Sequence, residues 1–100
     1  MKYLFKIDGF LLEAEQASSF HLSISFPRLD IEGGDFYCTV SSPSLFDKDK
    51  YIYGIDEVQA KELALVFANR LLDSKRLVDS DGKPIDYGSS IKTLLDSLRR

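Results

Sequence analysis

Apolar and polar residues alternate with a period of two through most of residues 1–55, and with a helical period after them. Two apolar runs flank Asp8-Gly9, a favoured two-residue type I′ turn, and predict a β-hairpin over residues 1–14. That turn pairs Ile7 with Phe10, Phe5 with Leu12 and Tyr3 with Ala14 on one apolar face. The other face pairs Lys6 with Leu11, Leu4 with Glu13 and Lys2 with Glu15. In residues 19–26, Phe20, Leu22, Ile24 and Phe26 alternate with Ser19, His21, Ser23 and Ser25, a half-buried strand that Pro27 ends. Asp30 to Asp35, with Gly33-Gly34, reads as a turn. The next strand turns Phe36, Cys38 and Val40 inward and Tyr37, Thr39 and Ser41 outward. A loop from Ser42 through Lys50 leads to a short strand, Tyr51 to Ile55.

The period then changes to that of a helix over residues 56–73. Asp56 as N-cap and Gln59 three residues on form a capping-box pair, with Ile55 placed to staple onto the first turn. Ala60, Leu63, Ala64, Phe67 and Leu71 make one apolar stripe, and Val58, Leu65, Ala68 and Leu72 an adjacent second one. Residues 76–87 predict a small hairpin turning at Asp81-Gly82. A short terminal helix starts near Ser89 or Ser90, and its Ile91, Leu94, Leu95 and Leu98 would cover the second stripe. The expected architecture is a single α+β domain over residues 1–100. Its antiparallel four-stranded sheet, an N-terminal hairpin plus two to three strands, packs on one long helix, followed by the small hairpin and the short helix.

Composition changes little in this picture. An apolar fraction of 44% and a charged fraction of 29% over 100 residues suffice for a core. Cys38 is the only cysteine, so no disulfide framework is expected. Lys6 and Asp8 interrupt any leader-like apolar stretch, and no run approaches the ~20 residues of a membrane span. A cytoplasmic protein is expected. Residues 1–55 hold five basic and eight acidic residues, and the remainder is balanced. An acidic front half argues against nucleic acid and anionic membranes as partners, and suits a basic protein.

The segment Tyr53-Gly54-Ile55-Asp56-Glu57-Val58-Gln59-Ala60, continuing through Leu63-Ala64-Leu65, resembles a family of small uncharacterised bacterial α+β proteins. These share a few N-terminal strands, a Gly-Val/Ile-Asp-x-x-Gln-Ala helix entry and an Ala/Leu-rich helix. Asp81-Gly82-Lys83-Pro84-Ile85-Asp86-Tyr87-Gly88 is similar to their short aromatic, glycine-bearing tail. In size, acidity and layout the chain also resembles immunity proteins encoded beside secreted bacterial toxins. The resemblance implies inhibition of a toxin by direct binding. The local residues have their own physical reading: Gly54 permits the bend from strand to helix, and Asp56 and Gln59 cap the helix.

Cys38 and His21 are the one pair that would suggest nucleophilic catalysis, but alternation puts them on opposite faces of the sheet. One His and one Cys cannot build a zinc shell, and Asp79-x-Asp81-Gly82 departs from a calcium loop. Glu13 and Glu15 share a strand face about 7 Å apart, as a glycosidase carboxylate pair would, but their neighbours Leu4 and Lys2 point to a solvated edge instead. Gly33-Gly34 precedes a strand and offers no phosphate cradle. No enzymatic activity, metal or cofactor is expected.

The remaining candidate chemistry is a surface. His21, Tyr37 and Thr39 lie outward among serines, with Leu4 and Leu11 toward the first hairpin, and Tyr51 and Tyr53 join them if Ile52 points inward. Tyr is favoured at binding surfaces because it is large, stiff and half polar. Asp47 and Asp49 supply acidic groups beside Leu45 and Phe46, which either plug the core or add to the surface. The expected function is a non-enzymatic protein-binding module, an immunity protein blocking a basic toxin domain. The expected contact residues are His21, Tyr37, Thr39, Asp47, Asp49, Tyr51 and Tyr53. The alternative is a homodimeric structural or interaction domain that buries the second helix stripe.

Overall fold

The first apolar alternation does form a hairpin, but it turns at Ala14-Glu15 and not at Asp8-Gly9. In the computed structural model, which describes residues 2–99, β1 (Tyr3–Glu13) runs straight through Asp8-Gly9 and pairs antiparallel with β2 (Gln16–Ser25). Met1 and Arg100, the ends of the expected domain, lie outside the described residues. Glu13 faces Gln16, and Ala14 and Glu15 have φ of 49° and 67°, as a type I′ loop requires. The longer ladder sets Phe5 against Ile24 and Ile7 against Leu22, and all four are buried. Leu11 joins them in the core, not on the outer face, which receives Phe10 and Leu12 instead. Glu15 sits at the exposed turn, so Glu13 and Glu15 do not share a strand face. Gly9 serves packing: a Cβ there would lie 2.7 Å from the Val78 carbonyl oxygen and 2.6 Å from Ile85 Cδ1.

The sheet is wider than the four strands expected. β3 (Arg28–Leu29), β4 (Phe36–Ser41), β5 (Lys50–Gly54) and β6 (Arg76–Val78) complete an all-antiparallel sheet of six described strands. Across it the order is β5-β4-β2-β1-β6, with β3 continuing the line of β2 along β4. Pro27 breaks that line because it lacks an N–H, and the register along β4 slips by one residue there. The Thr39 N–H bonds the Ser25 hydroxyl at 2.9 Å. The hairpin expected over 76–87 exists, since Ile85 N–H donates to Leu77 O and Asp79 N–H to Lys83 O. Its first strand also joins the free edge of β1.

Beyond the end of β4 the loop serines replace a strand. Buried Ser42 donates its hydroxyl to His21 O at 2.6 Å, and Ser44 donates to Ser19 O. Leu45 and Phe46 then pack against the core.

α1 (Glu57–Leu72) is capped as expected: Gln59 N–H donates to Asp56 Oδ1 at 2.7 Å, and the Gln59 side chain accepts from Ile55 N–H. Ile55 makes no staple, being 74% exposed. Gly54 is needed for closeness, not for a bend, because a Cβ there would lie 2.4 Å from the Ala60 nitrogen. The buried stripe of α1 mixes the two expected ones: Ala60, Ala64, Leu65, Ala68 and Leu72. Leu63 and Val58 stay exposed, and Phe67 and Leu71 are partly buried. Three alanines one turn apart let α1 lie close on β4 and β5.

α2 (Tyr87–Leu98) starts two residues earlier than expected, capped by Asp86, whose carboxylate accepts from Ser89 N–H. The Tyr87 hydroxyl donates to Leu72 O at 2.6 Å, satisfying a carbonyl that the end of α1 leaves open. Arg99 Nε lies 3.9 Å from Glu62 Oε2, so α2 runs antiparallel to α1. Its Ile91 is buried and Leu94, Leu95 and Leu98 pack on the core. Leu65, Ala68 and Leu72 of the second expected stripe are thus covered within the chain, while its Val58 stays exposed.

Candidate functional site

Both helices occupy one face of the sheet, which leaves the other face open. Alternation along β4 turns Cys38 and Val40 into the core and Tyr37 and Thr39 out. Ile52, opposite Cys38, packs on the core, so Tyr51 and Tyr53 share the outer face with Tyr37. Cross-strand pairing sets Tyr37 against Tyr53 and Thr39 against Tyr51. The Tyr37 ring contacts both tyrosines, edge-on to Tyr51 with centroids 5.8 Å apart and tilted on Tyr53 at 5.6 Å. Tyr51 is 57% and Tyr53 49% exposed, so much of the cluster faces solvent.

Beside this cluster the sheet holds a depression of about 400 Å³. It is lined by Tyr37, Tyr51 and Thr39, by Ser23, Ser25 and Ser41, and by Tyr3, Arg28 and Asp49. The sequence pattern placed Tyr3 on the apolar face of the first hairpin. A bulge between Tyr3 and Phe5 reverses that parity, and Tyr3 reaches the outer side. Arg28 arrives there through the one-residue slip at Phe26-Pro27. Pro27 is the sequence signal for the slip at Arg28, and it marks that irregularity without giving its direction; no residue signals the bulge beside Tyr3.

His21 lies on the same face but outside the depression. Its Nδ1 donates to Asp8 Oδ1 at 2.6 Å, and Lys6 Nζ lies 3.5 Å from Asp8 Oδ2. The His21 hydrogen bond, ahead of the Lys6 charge, holds the Asp8 carboxyl below its ordinary range. Asp47 is exposed in the loop and does not line the depression, unlike Asp49. Of the seven expected contact residues, the fold gathers Tyr37, Thr39, Asp49, Tyr51 and Tyr53, and sets His21 and Asp47 apart. At the opposite end of this face, Phe10, Leu12, Ala17 and Val78 line a shallow apolar groove of about 280 Å³.

Cys38 is fully buried, and burial pushes its thiol up to about 11. It faces away from His21, so the two cannot act together. Among the described residues, no three of His, Cys, Asp and Glu come together in a group that could hold a metal ion, and no helix is long and apolar enough to cross a membrane. What the surface can do chemically is offer aromatic faces, hydroxyls and one charge of each sign to a ligand.

Fold and site together define an α+β protein with an antiparallel sheet, two helices on one face and an aromatic, hydroxyl-rich surface on the other. The chain matches no protein-family model, no curated protein and no solved structure.

Proposed function

We propose that this chain is a non-enzymatic protein-binding module, an immunity-type inhibitor that blocks a basic toxin domain with the open face of its sheet. The observation that carries this reading is the cluster of Tyr37, Tyr51 and Tyr53 on a face that neither helix covers. Tyr37 is the central ring, held by its two neighbours, and an aromatic side chain already ordered loses little entropy on binding. Asp49 in the lining of the depression and Asp47 in the adjoining loop supply the steering charge for a basic partner.

The test is growth of cells that make the toxin encoded next to this gene, with binding kinetics for the purified pair. Wild-type protein protects. Tyr37→Ala raises the dissociation rate roughly 30-fold, the equivalent of ~2 kcal/mol for a buried aromatic anchor. Asp47→Lys with Asp49→Lys slows association and weakens its salt dependence. Full protection and unchanged kinetics in both variants would remove this face from the contact. A wild-type chain that neither binds the adjacent product nor protects would overturn the immunity reading.

A further inference from the structure

The two edges of the sheet are treated differently. β6 is closed by its own hairpin return, where Ile85 N–H bonds Leu77 O and Pro84 lies opposite Val78. β5 pairs with β4 alone among the described strands, so the other side of Lys50–Gly54 is an open edge. It carries no proline and no bulge, and Lys50 is its one charged side chain. Even that lysine is turned aside, with Lys50 Nζ 5.5 Å from the Phe46 ring centroid. Apolar surface flanks the edge on both faces. Tyr51 and Tyr53 lie on the outer side. On the helix side stands Leu63, 42% exposed, on the flank of α1 turned away from the α2 contact at Glu62.

The geometry points to β5 as a two-fold interface, pairing antiparallel with β5 of a second copy of this chain, Ile52 opposite Ile52. A two-fold contact requires a strand complementary to itself, and this one is. With Ile52 at the centre, Tyr51 stands opposite Tyr53 of the second copy on the outer face, twice by symmetry, and Lys50 stands opposite Gly54. All five strand residues pair, and no like charges face each other. In the same register Lys48 comes opposite Asp56 of the second copy, where its strand enters its helix, an opposite-charge pair at each end, and Asp47 is the one acid that falls toward Glu57. Centring on Tyr51 or Tyr53 leaves part of the strand unpaired. The pairing joins two five-strand-wide sheets and runs their tyrosines into one strip. It holds whether or not that strip binds another protein.

Sedimentation equilibrium between ~1 μM and ~1 mM tests it, a range that spans weak self-association. The expected result is a mass rising with concentration from 11.3 kDa to double that value. Leu63→Glu and Tyr53→Lys, both at exposed positions and checked for folding by circular dichroism, weaken the dimer at least ~10-fold. Register is read by oxidative cross-linking: a mixture of Tyr51→Cys and Tyr53→Cys chains forms a disulfide dimer, and each variant alone does not. Native Cys38 is buried and stays out of the reaction. A wild-type chain that remains at 11.3 kDa throughout would overturn the proposal, as would a dimer that both variants leave intact.

Discussion

Gly54→Ala is the most direct probe of how this sheet and helix fit. The added Cβ would lie 2.4 Å from the Ala60 nitrogen and 2.8 Å from both Ala60 Cα and the Gln59 carbonyl carbon. All three are backbone atoms, so no side chain can rotate away. Ordinary contact requires α1 to retreat by roughly 1 Å, which opens the Ala60–Ala64 seam over β4 and β5. Overpacking of this kind costs ~1–3 kcal/mol, and a rigid obstacle belongs at the upper end. Alanine's advantage over glycine in a strand returns only ~0.5–1 kcal/mol of that. A net loss of about 2 kcal/mol, divided by a urea slope of ~1.5 kcal/mol/M, lowers the unfolding midpoint by about 1.3 M. The melting temperature falls by ~10 °C. Gly88→Ala is the control: its Cβ would meet nothing within 4 Å in the first turn of α2, so it should raise stability by ~0.5 kcal/mol. A Gly54→Ala midpoint within ~0.2 M of wild type would show that β5 and α1 are not in this close contact.

Three further outcomes are expected. Replacing Ala14-Glu15, whose φ angles of 49° and 67° suit neither residue, by Asn-Gly should stabilise the hairpin by ~1 kcal/mol in urea unfolding; a loss would place the turn elsewhere. Cys38→Ala should cost about 1 kcal/mol through lost burial. With the native thiol pushed up to about 11, a disulfide reagent at pH 8 should label the native protein only as fast as it opens, and rapid labelling would contradict burial. The Asp8 carboxyl, held low chiefly by His21, adds stability that is complete above the unfolded value near 3.9 and lost as pH falls through the lower folded value. Both partners are half exposed, so the effect is ~0.2–1 kcal/mol. Asp8→Asn should flatten stability against pH between pH 5 and pH 2, and an unchanged slope would remove the pair from the account.

What the sequence made legible was local. The cap of α1 depends on Asp56 and Gln59, three residues apart, and it formed. The alternation around Phe20–Ile24 and Cys38–Val40 needs no distant partner to fix which side chains go inward. The first hairpin failed because its two strongest signals were decided far away. Gly9 looks like a turn glycine, yet its missing side chain makes room for Val78 and Ile85, about seventy residues on. Ala14-Glu15 carries no turn chemistry, and its positive φ angles are accepted because ten residues of β2 then match β1. The same non-local logic hid β6, whose place in the sheet depends on the free edge of β1. At the site, Tyr37 and Thr39 could be placed from the pattern, and Tyr51 and Tyr53 only once Ile52 was known to point inward. Tyr3 and Arg28 could not, because each lies past a one-residue irregularity that inverts the period-two count.

Core packing, helix seating and the aromatic surface all meet on β5. Its last residue must be glycine for α1 to seat, its inward Ile52 closes the core, and its outward tyrosines make two-thirds of the aromatic cluster. A change at Gly54 therefore alters the surface along with stability, by shifting the strand that carries Tyr51 and Tyr53. Tyr51, Tyr53 and Leu63 are exposed and lie outside the core cluster, so changes there act on binding or self-association more than on stability. Tyr37 lies between these cases. Its ring supports both neighbouring tyrosines, and truncating it frees them as well as removing itself, so its effect is not additive with theirs. Loss of binding in Tyr37→Ala locates the contact on this face. Leu63→Glu, on the helix side of the β5 edge and away from the rings, then separates the two occupants: it weakens self-association and leaves a foreign partner's binding to the tyrosines unchanged.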